Sequence, residues 1–438
     1  MSKEKLDYDK LLHYLMKRAN VKASHGILYV CHPQRGWIAC DQMKSKVLLL
    51  TFISPNKRSY VSDGEINALY KRLLIEPEIQ VDVEKKLQKD KLNVNNGVYD
   101  FTSGRITPRS EKDFFTYCLD FSYTSDAKID DAEAFISFCK SSLDYDVSHQ
   151  KTRYLLQIIG YVISSLEGAE KAFLLIGPSN CGKSVVLNLI EKVVGQDNIC
   201  NIPINRLADR FNVAELRNAR ININREIASG KLKNIDIFKG LVSNERVIGE
   251  KKKQDPFPFT NHCKLLFAGN NLPVLSETDG TNDAVFNRMC VLKFPHSIDD
   301  KDKNLNLIDA LYDERDIIFS AAVDEVSQII SSNYKFDVDT ESQECFDIYK
   351  EGQQAILTFV DEMMTVSPDN KVHLRDVVAA FKAYCRDNCI LNCYTESNIR
   401  YYLTSIPGVK PGKFRINGSN PLSGFTGIAL KCIYKEQD

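Results

Sequence analysis

Gly177-Pro178-Ser179-Asn180-Cys181-Gly182-Lys183-Ser184 is a complete G-x-x-x-x-G-K-[ST] pattern. The residues before it, Ala172-Phe173-Leu174-Leu175-Ile176, form an apolar run of buried-strand length. Val185 to Val194 after it reads as a helix that stops at Gly195. Strand, glycine loop and helix in that order turn successive backbone N–H groups and a helix N-terminus toward one concave anion site. In such a loop Lys183 reaches the β- and γ-phosphates as a point charge, and Ser184 offers its hydroxyl to Mg²⁺. The expected ligands are therefore a nucleotide and Mg²⁺.

Outward from this loop the chain alternates strands and helices. Arg220 to Ile227 reads as a strand with a charged exit, Ile235 to Val242 as a short helix, and Lys264 to Gly269 and Val291 to Phe294 as further apolar strands. Interleaving of this kind predicts an α/β core, a mostly parallel sheet covered on both faces, with ligands beyond the C-terminal strand ends. Glu226 and Asn270 fall at such ends. Glu226 is expected to act on the attacking water or the metal's shell, and Asn270, with Asn271 as its rival, to orient water at the γ-phosphate. A second acid beside Glu226 is missing, because positions 224 and 225 are Asn and Arg. Arg246-Val247-Ile248-Gly249 and Phe257-Pro258-Phe259 flank a basic tip, Lys251-Lys252-Lys253, suited to gripping DNA phosphates. Arg288, just ahead of a strand, is a candidate to stabilise transferred phosphoryl charge from another subunit.

Elsewhere the reading is coarser. Residues 1–90 suggest a small α+β domain: a helix from Tyr8 to Ala19, a hairpin of Ile27–Cys31 and Trp37–Cys40, a third strand from Lys46 to Ile53, and a helix from Glu65 to Leu74. Leu92–Phe101 and Ser103–Ile106 read as two strands, and Asp131 to Ser165 as a helical collar, so that 91–165 precedes a motor at 166–330. Leu305 to Ile330 reads as helical, Ser331 to Glu344 as a polar linker and Cys345 to Met364 as a helix. Within 345–438, helices at Leu374–Cys385 and Ser397–Thr404 precede a wing of Lys413–Ile416 and Thr426–Leu430. Lys371 to Asp438 holds ten Lys or Arg against five Asp or Glu, a footprint for DNA.

A hydrophobic share of 43 % and a net charge of −1 are ordinary for a globular chain, and confine any nucleic-acid surface to a local patch. No apolar run is long enough to span a bilayer and the N-terminus lacks a signal core, so no membrane partner and a place in the host cytoplasm are expected. The 13 cysteines read as reduced thiols. Cys385, Cys389 and Cys393 lack a fourth ligand at finger spacing.

Taken in order, Asn96–Phe101, Ile159-Gly160-Tyr161, Gly177–Ser184, Phe211–Leu216 before Ile221–Glu226, Phe238–Leu241, Lys264–Pro273 and Asn287-Arg288 resemble the phage/plasmid and poxvirus-type primase–helicase family. The motor of that family is a superfamily 3 helicase of the AAA+ class. The resemblance covers Leu92 to Ser297 well and the rest loosely. It implies that Gly177–Ser184 is the Walker A loop, Glu226 the Walker B acid, Asn270 the polar sensor and Arg288 a trans arginine finger, although Asn287 departs from the paired arginines often found there. It also implies that Arg246–Phe259 carries a DNA-contacting pore hairpin and that the C-terminal block is a winged helix. Residues before Leu92 are too few for the primase domain often found ahead of the motor.

The leading expectation is an ATP-dependent homo-hexameric helicase that moves on single-stranded DNA at forks of a virus, phage, plasmid or mobile element, with priming or loading left to a partner. The rival is an origin-binding initiator that uses ATP as an assembly switch. A P-loop kinase is a weaker third, since it needs neither basic hairpin nor wing.

Overall fold

The structure, a computed structural model, describes residues 8–18, 21–32, 36–59, 61–110, 113–143, 149–227, 231–232, 234–252, 255–275, 282–299, 301, 303–388, 396–404, 406–416 and 421–431. Its centre is a parallel sheet of β1 (Ala172–Ile176), β2 (Ile199–Cys200), β3 (Ile221–Asn224), β4 (Lys264–Gly269) and β5 (Met289–Lys293), in the order β5-β1-β4-β3-β2. The α/β architecture expected from the alternating pattern is present. Every residue of β1 and β4 is buried, because both faces are covered.

Strand alternation divides the side chains between two cores. Phe173 and Leu175 point into one core with the helices Gln150–Ile163, Lys183–Val194 and Arg315–Ile330. Ala172, Leu174 and Ile176 point into the other, with Arg210–Leu216 and Ile235–Val242. The first core also takes in Leu92, Tyr99, Phe121 and Phe135, so the strands and helices of the collar pack directly on the sheet's covering helices. Polar contacts fix that join. The Glu314 carboxylate accepts from Ala134 N at 2.8 Å and Phe135 N at 3.0 Å, at the start of helix Glu133–Ser142.

Several expectations for the flanking regions change. Lys46 to Ile53 is not a strand: helix Gln42–Thr51 covers most of it. Asp41 caps this helix by accepting from Lys44 N at 2.7 Å, and Ser45, Leu49 and Ile53 are buried at a helical spacing of four. The third strand is instead Val21–Ser24, paired with Ile27–His32. Leu92–Phe101 is itself a hairpin, Lys91–Val94 with Gly97–Asp100, extended by Arg105–Thr107.

Ser331 to Glu344 is docked and not a free linker. Tyr334 meets Tyr161 at 5.7 Å, Phe336 meets Phe173 at 5.4 Å, and the amide of Gln157 holds Asp337. Asp339 then caps helix Thr340–Met363. This helix packs Phe346 and Tyr349 on the sheet's second core, and Ala355, Ile356 and Phe359 in a separate C-terminal core. That C-terminal unit runs strand Met364–His373, helices Leu374–Asp387 and Glu396–Thr404, then strands Lys410–Phe414 and Leu422–Leu430. Its three-stranded antiparallel sheet has Leu422–Leu430 in the middle.

The N-terminal edge of the sheet carries a half-buried ionic group. Glu167 accepts from Lys89 and His262, and Lys264 donates to the Leu166 carbonyl below the Tyr161 ring. Burial pushes Glu167 up, but the hydrogen bonds from His262 and Lys89 outweigh it and hold the carboxyl at about 2. This folded value lies below the ordinary 4.5, so the group stabilises the fold above pH 4.5 and loses that contribution as pH falls toward 2. Solvent reaching Lys89 screens the group, so Glu167→Gln is expected to cost about 1 kcal/mol at neutral pH. In denaturant unfolding followed across pH, the gap to wild type should close below pH 4.5.

Candidate functional site

The strand register sets the site. Gly269 of β4 pairs with Ile176 of β1, and Phe267 with Asn224 of β3. Beyond the strands, Gly177 N donates to Gly269 O at 3.2 Å and Ile227 N to Ala268 O at 3.0 Å. Gly177, Asn270 and Glu226 therefore leave the sheet at nearly one level. Since β4 lies between β1 and β3, Gly177 and Glu226 are separated by two strand spacings, roughly 10 Å, with Asn270 between them. A second tie joins the two outer loops: Lys231–Leu232, beyond Glu226, pairs in parallel with Val274–Leu275, beyond Asn270.

The loop from Gly177 to Gly182 folds tightly. A Cβ at Gly177 would lie 2.3 Å from the Phe294 carbonyl oxygen, so the loop closes against the end of β5. Asn180 and Gly182 take left-handed backbone, with φ of 60° and 98°. Gly182 is the N-cap of the helix, which begins at Lys183, two residues earlier than the apolar pattern indicated. Lys183 is buried, and its Nζ donates to the carbonyls of Gly177 at 2.7 Å and Pro178 at 2.6 Å, with Cys181 Sγ at 3.2 Å. Pro178, Ser179, Asn180 and Ser184 are exposed, whereas Cys181 is buried and packs under the loop. Asn270 Nδ2 reaches Ser179 Oγ at 3.5 Å, while Asn271 has no described bond to the loop. A helix N-terminus, a buried ammonium and a run of exposed backbone at one place make an anion-binding concavity.

Glu226 is exposed beside this concavity, held between two anchored neighbours. Ile227 is buried and bonded to β4, and Arg225 donates from Nη2 to Asn188 Oδ1 and to Glu191 Oε2, both at 2.6 Å. Sequence reading marked Arg225 only as a missing acid, and its partners on the loop's helix were not anticipated. Also missed were β2 and the buried Asn222, which ties β3 to Ile202 through both its amide groups.

Arg288 is not at this site in its own chain. It precedes β5 where Ala172 begins β1, and Ala172 N donates to Arg288 O at 2.8 Å. The length of the strand, roughly 17 Å, separates it from Gly177. Its guanidinium donates to Ser243 Oγ at 2.9 Å and to Ala284 O at 2.9 Å, with Glu170 3.8 Å away. The basic tip belongs to a hairpin outside the five-stranded sheet. Arg246–Gly249 and Phe257–Thr260 form the expected antiparallel hairpin, with Lys252 exposed and Lys251 half-buried; Lys253 lies outside the described residues. Cys385 is buried in its helix, and Cys389 and Cys393 also lie outside the described residues. Among the described residues, no helix is long and apolar enough to cross a membrane, and no group of three or more His, Cys, Asp or Glu side chains is placed to hold a metal.

Comparison with known proteins adds the following. Residues 25–142 match the family model described as D5 N terminal like. That match supports the relation to primase–helicases of the phage type which the motifs implied. Residues 175–288, from the end of β1 to Arg288, match a family of unknown function, DUF5906. No curated protein matches the chain. Among solved structures, the chain is similar to the A form apo structure of the NrS-1 C terminal region, at 11 % identity and a TM-score of 0.46 over 95 % of this chain and 98 % of that one. A second apo structure of the same region gives 11 % and 0.46 over 97 % of this chain and 100 % of that one.

The loop geometry carries a test of its own. Gly182 combines a left-handed φ with a Cβ position 2.7 Å from both the Phe138 ring and Ser142 Oγ. Gly182→Ala is expected to destabilise the fold by about 1–3 kcal/mol, visible as a lowered Tm in thermal unfolding.

Proposed function

We propose that this chain is an ATP-hydrolysing motor of the superfamily 3, AAA+ type that acts on DNA in the replication of a virus, phage, plasmid or mobile element. The single observation that carries the reading is the common level at which Gly177, Asn270 and Glu226 leave three adjacent parallel strands. The D5 N terminal like match supports a replication enzyme of the primase–helicase type.

The residues present fit a nucleoside triphosphate. Gly177 and Gly182 let the loop close tightly against Phe294, Phe138 and Ser142, and the Lys183 ammonium lies against the carbonyls of Gly177 and Pro178. In this reading the backbone N–H groups of Gly177 to Ser184 wrap the phosphates and Lys183 exchanges its carbonyl contacts for β- and γ-oxygens. Ser184 would hold Mg²⁺, which supplies charge neutralisation at the phosphates. Glu226 aligns and deprotonates the attacking water, and the Asn270 amide fixes its direction. Arg288, facing away from its own loop, serves the loop of a neighbouring copy in a homo-hexamer.

DNA contacts belong to two places. The Lys251–Lys252 tip, with Lys253, is the proposed grip on single-stranded phosphates within the ring. The C-terminal unit has the element order of a winged helix, with Lys410–Phe414 and Leu422–Leu430 as its wing, and is proposed to meet duplex or forked DNA. That unit also supports the second reading, an origin-binding initiator that uses ATP as an assembly switch.

ATP turnover with and without single-stranded DNA is the test. Wild type should hydrolyse ATP faster on DNA, and Lys183→Ala should lose at least about a hundredfold in kcat/KM, or roughly 2.7 kcal/mol of transition-state stabilisation. Equal turnover by the variant would remove the motor reading. ATP-dependent assembly without DNA-stimulated turnover would favour the initiator.

A further inference from the structure

The position next to Glu226 holds an arginine where a second metal-binding acid was expected, and its contacts give it a different task. Ile221, Ile223 and Arg225 alternate onto the face of the sheet covered by the loop's helix; Ile221 and Ile223 share a core with Val186, Leu187 and Ile190 of that helix. The guanidinium ends on Asn188 and Glu191, both at 2.6 Å. Ser184, Asn188 and Glu191 stand at i, i+4 and i+7, one stripe of that helix. Arg225 therefore grips the stripe that presents the Ser184 hydroxyl at its N-terminal end. The ladder alone links β3 to the loop only through β4, since β4 lies between β3 and β1. Arg225 adds a direct polar connection at the end of β3, beyond the apolar packing of Ile221 and Ile223.

We propose that Arg225 is a positioning residue that locks the catalytic edge of β3 to the phosphate-loop helix and so fixes Glu226 relative to Ser184 and the bound phosphates. This deepens the nucleotide-hydrolysis reading and rests on it. Glu226 is anchored on one side by Ile227, through Ala268 O, and on the other by Arg225 through the helix. Removing one anchor leaves the carboxylate in place chemically but free to drift, and a small misplacement of a catalytic group lowers turnover steeply. Nucleotide affinity, set by the loop and Lys183, is left nearly intact. An arginine here also contributes no metal ligand, so the metal rests on Ser184 and the phosphates.

The experiment measures steady-state ATP hydrolysis on single-stranded DNA and equilibrium binding of a fluorescent ATP analogue, with the full chain. Arg225→Ala should lower kcat about tenfold or more while the analogue's Kd changes less than about twofold. Arg225→Lys, which can reach only one of the two acceptors well, should fall between. Glu191→Gln should reproduce part of the loss without touching the strand. In a Glu226→Gln background, Arg225→Ala should cause no further loss of residual turnover, whereas a merely structural role would lower it again. A hydrolysing wild type whose Arg225→Ala variant keeps its kcat, or loses activity equally in both backgrounds, overturns the clamp alone. A wild type without ATPase overturns the nucleotide reading itself.

Discussion

The hydrogen bond from Gly177 N to Gly269 O carries the β1–β4 ladder one residue beyond the strands, and the candidate site hangs from it. It fixes where the loop starts relative to Asn270. The Ile227 bond to Ala268 does the same for Glu226 on the other side of β4. Parallel pairing leaves no freedom to slip a single residue, because a slip would exchange Phe173 and Leu175 with Leu174 and Ile176 between two different cores. The placement of the three polar groups is thus a by-product of apolar packing on both faces of the sheet.

That edge is also wired to the C-terminal unit. Tyr349 of the long helix donates to the Pro273 carbonyl, and Gln353 accepts from Leu275 N at 3.4 Å, just beyond the Asn270 loop. One turn after these contacts the same helix enters the C-terminal core at Ile356 and Phe359. One helix therefore contacts both the segment after Asn270 and the core of the C-terminal unit.

Much of the core was legible in the sequence because its strands are short, continuous apolar runs between polar exits, and the loop pattern is local. What was not legible depended on contacts distant in sequence. Lys46 to Ile53 looks like a strand by its aliphatic run, and only the Asp41 cap and the burial of Ser45, Leu49 and Ile53 at a spacing of four make it a helix. The polar stretch after Ser331 hides Tyr334 and Phe336, which dock on Tyr161 and Phe173 far upstream. Arg225 looked like a defect until the helix brought Asn188 and Glu191 to it. The opposite placement of Arg288 and Gly177 follows from strand direction and register, which motif spacing does not encode.

The central claim is that the phosphate loop is completed by another copy of the chain, and subunit mixing tests it most directly. Arg288→Ala and Glu226→Gln should each keep only a small residual turnover alone while still binding ATP. Mixed in equal amounts with single-stranded DNA, they should regain ATPase wherever the intact loop of an Arg288→Ala subunit meets the intact Arg288 of a Glu226→Gln neighbour. Activity that stays at the level of the separate variants, with mixed assemblies demonstrably formed, would contradict the account.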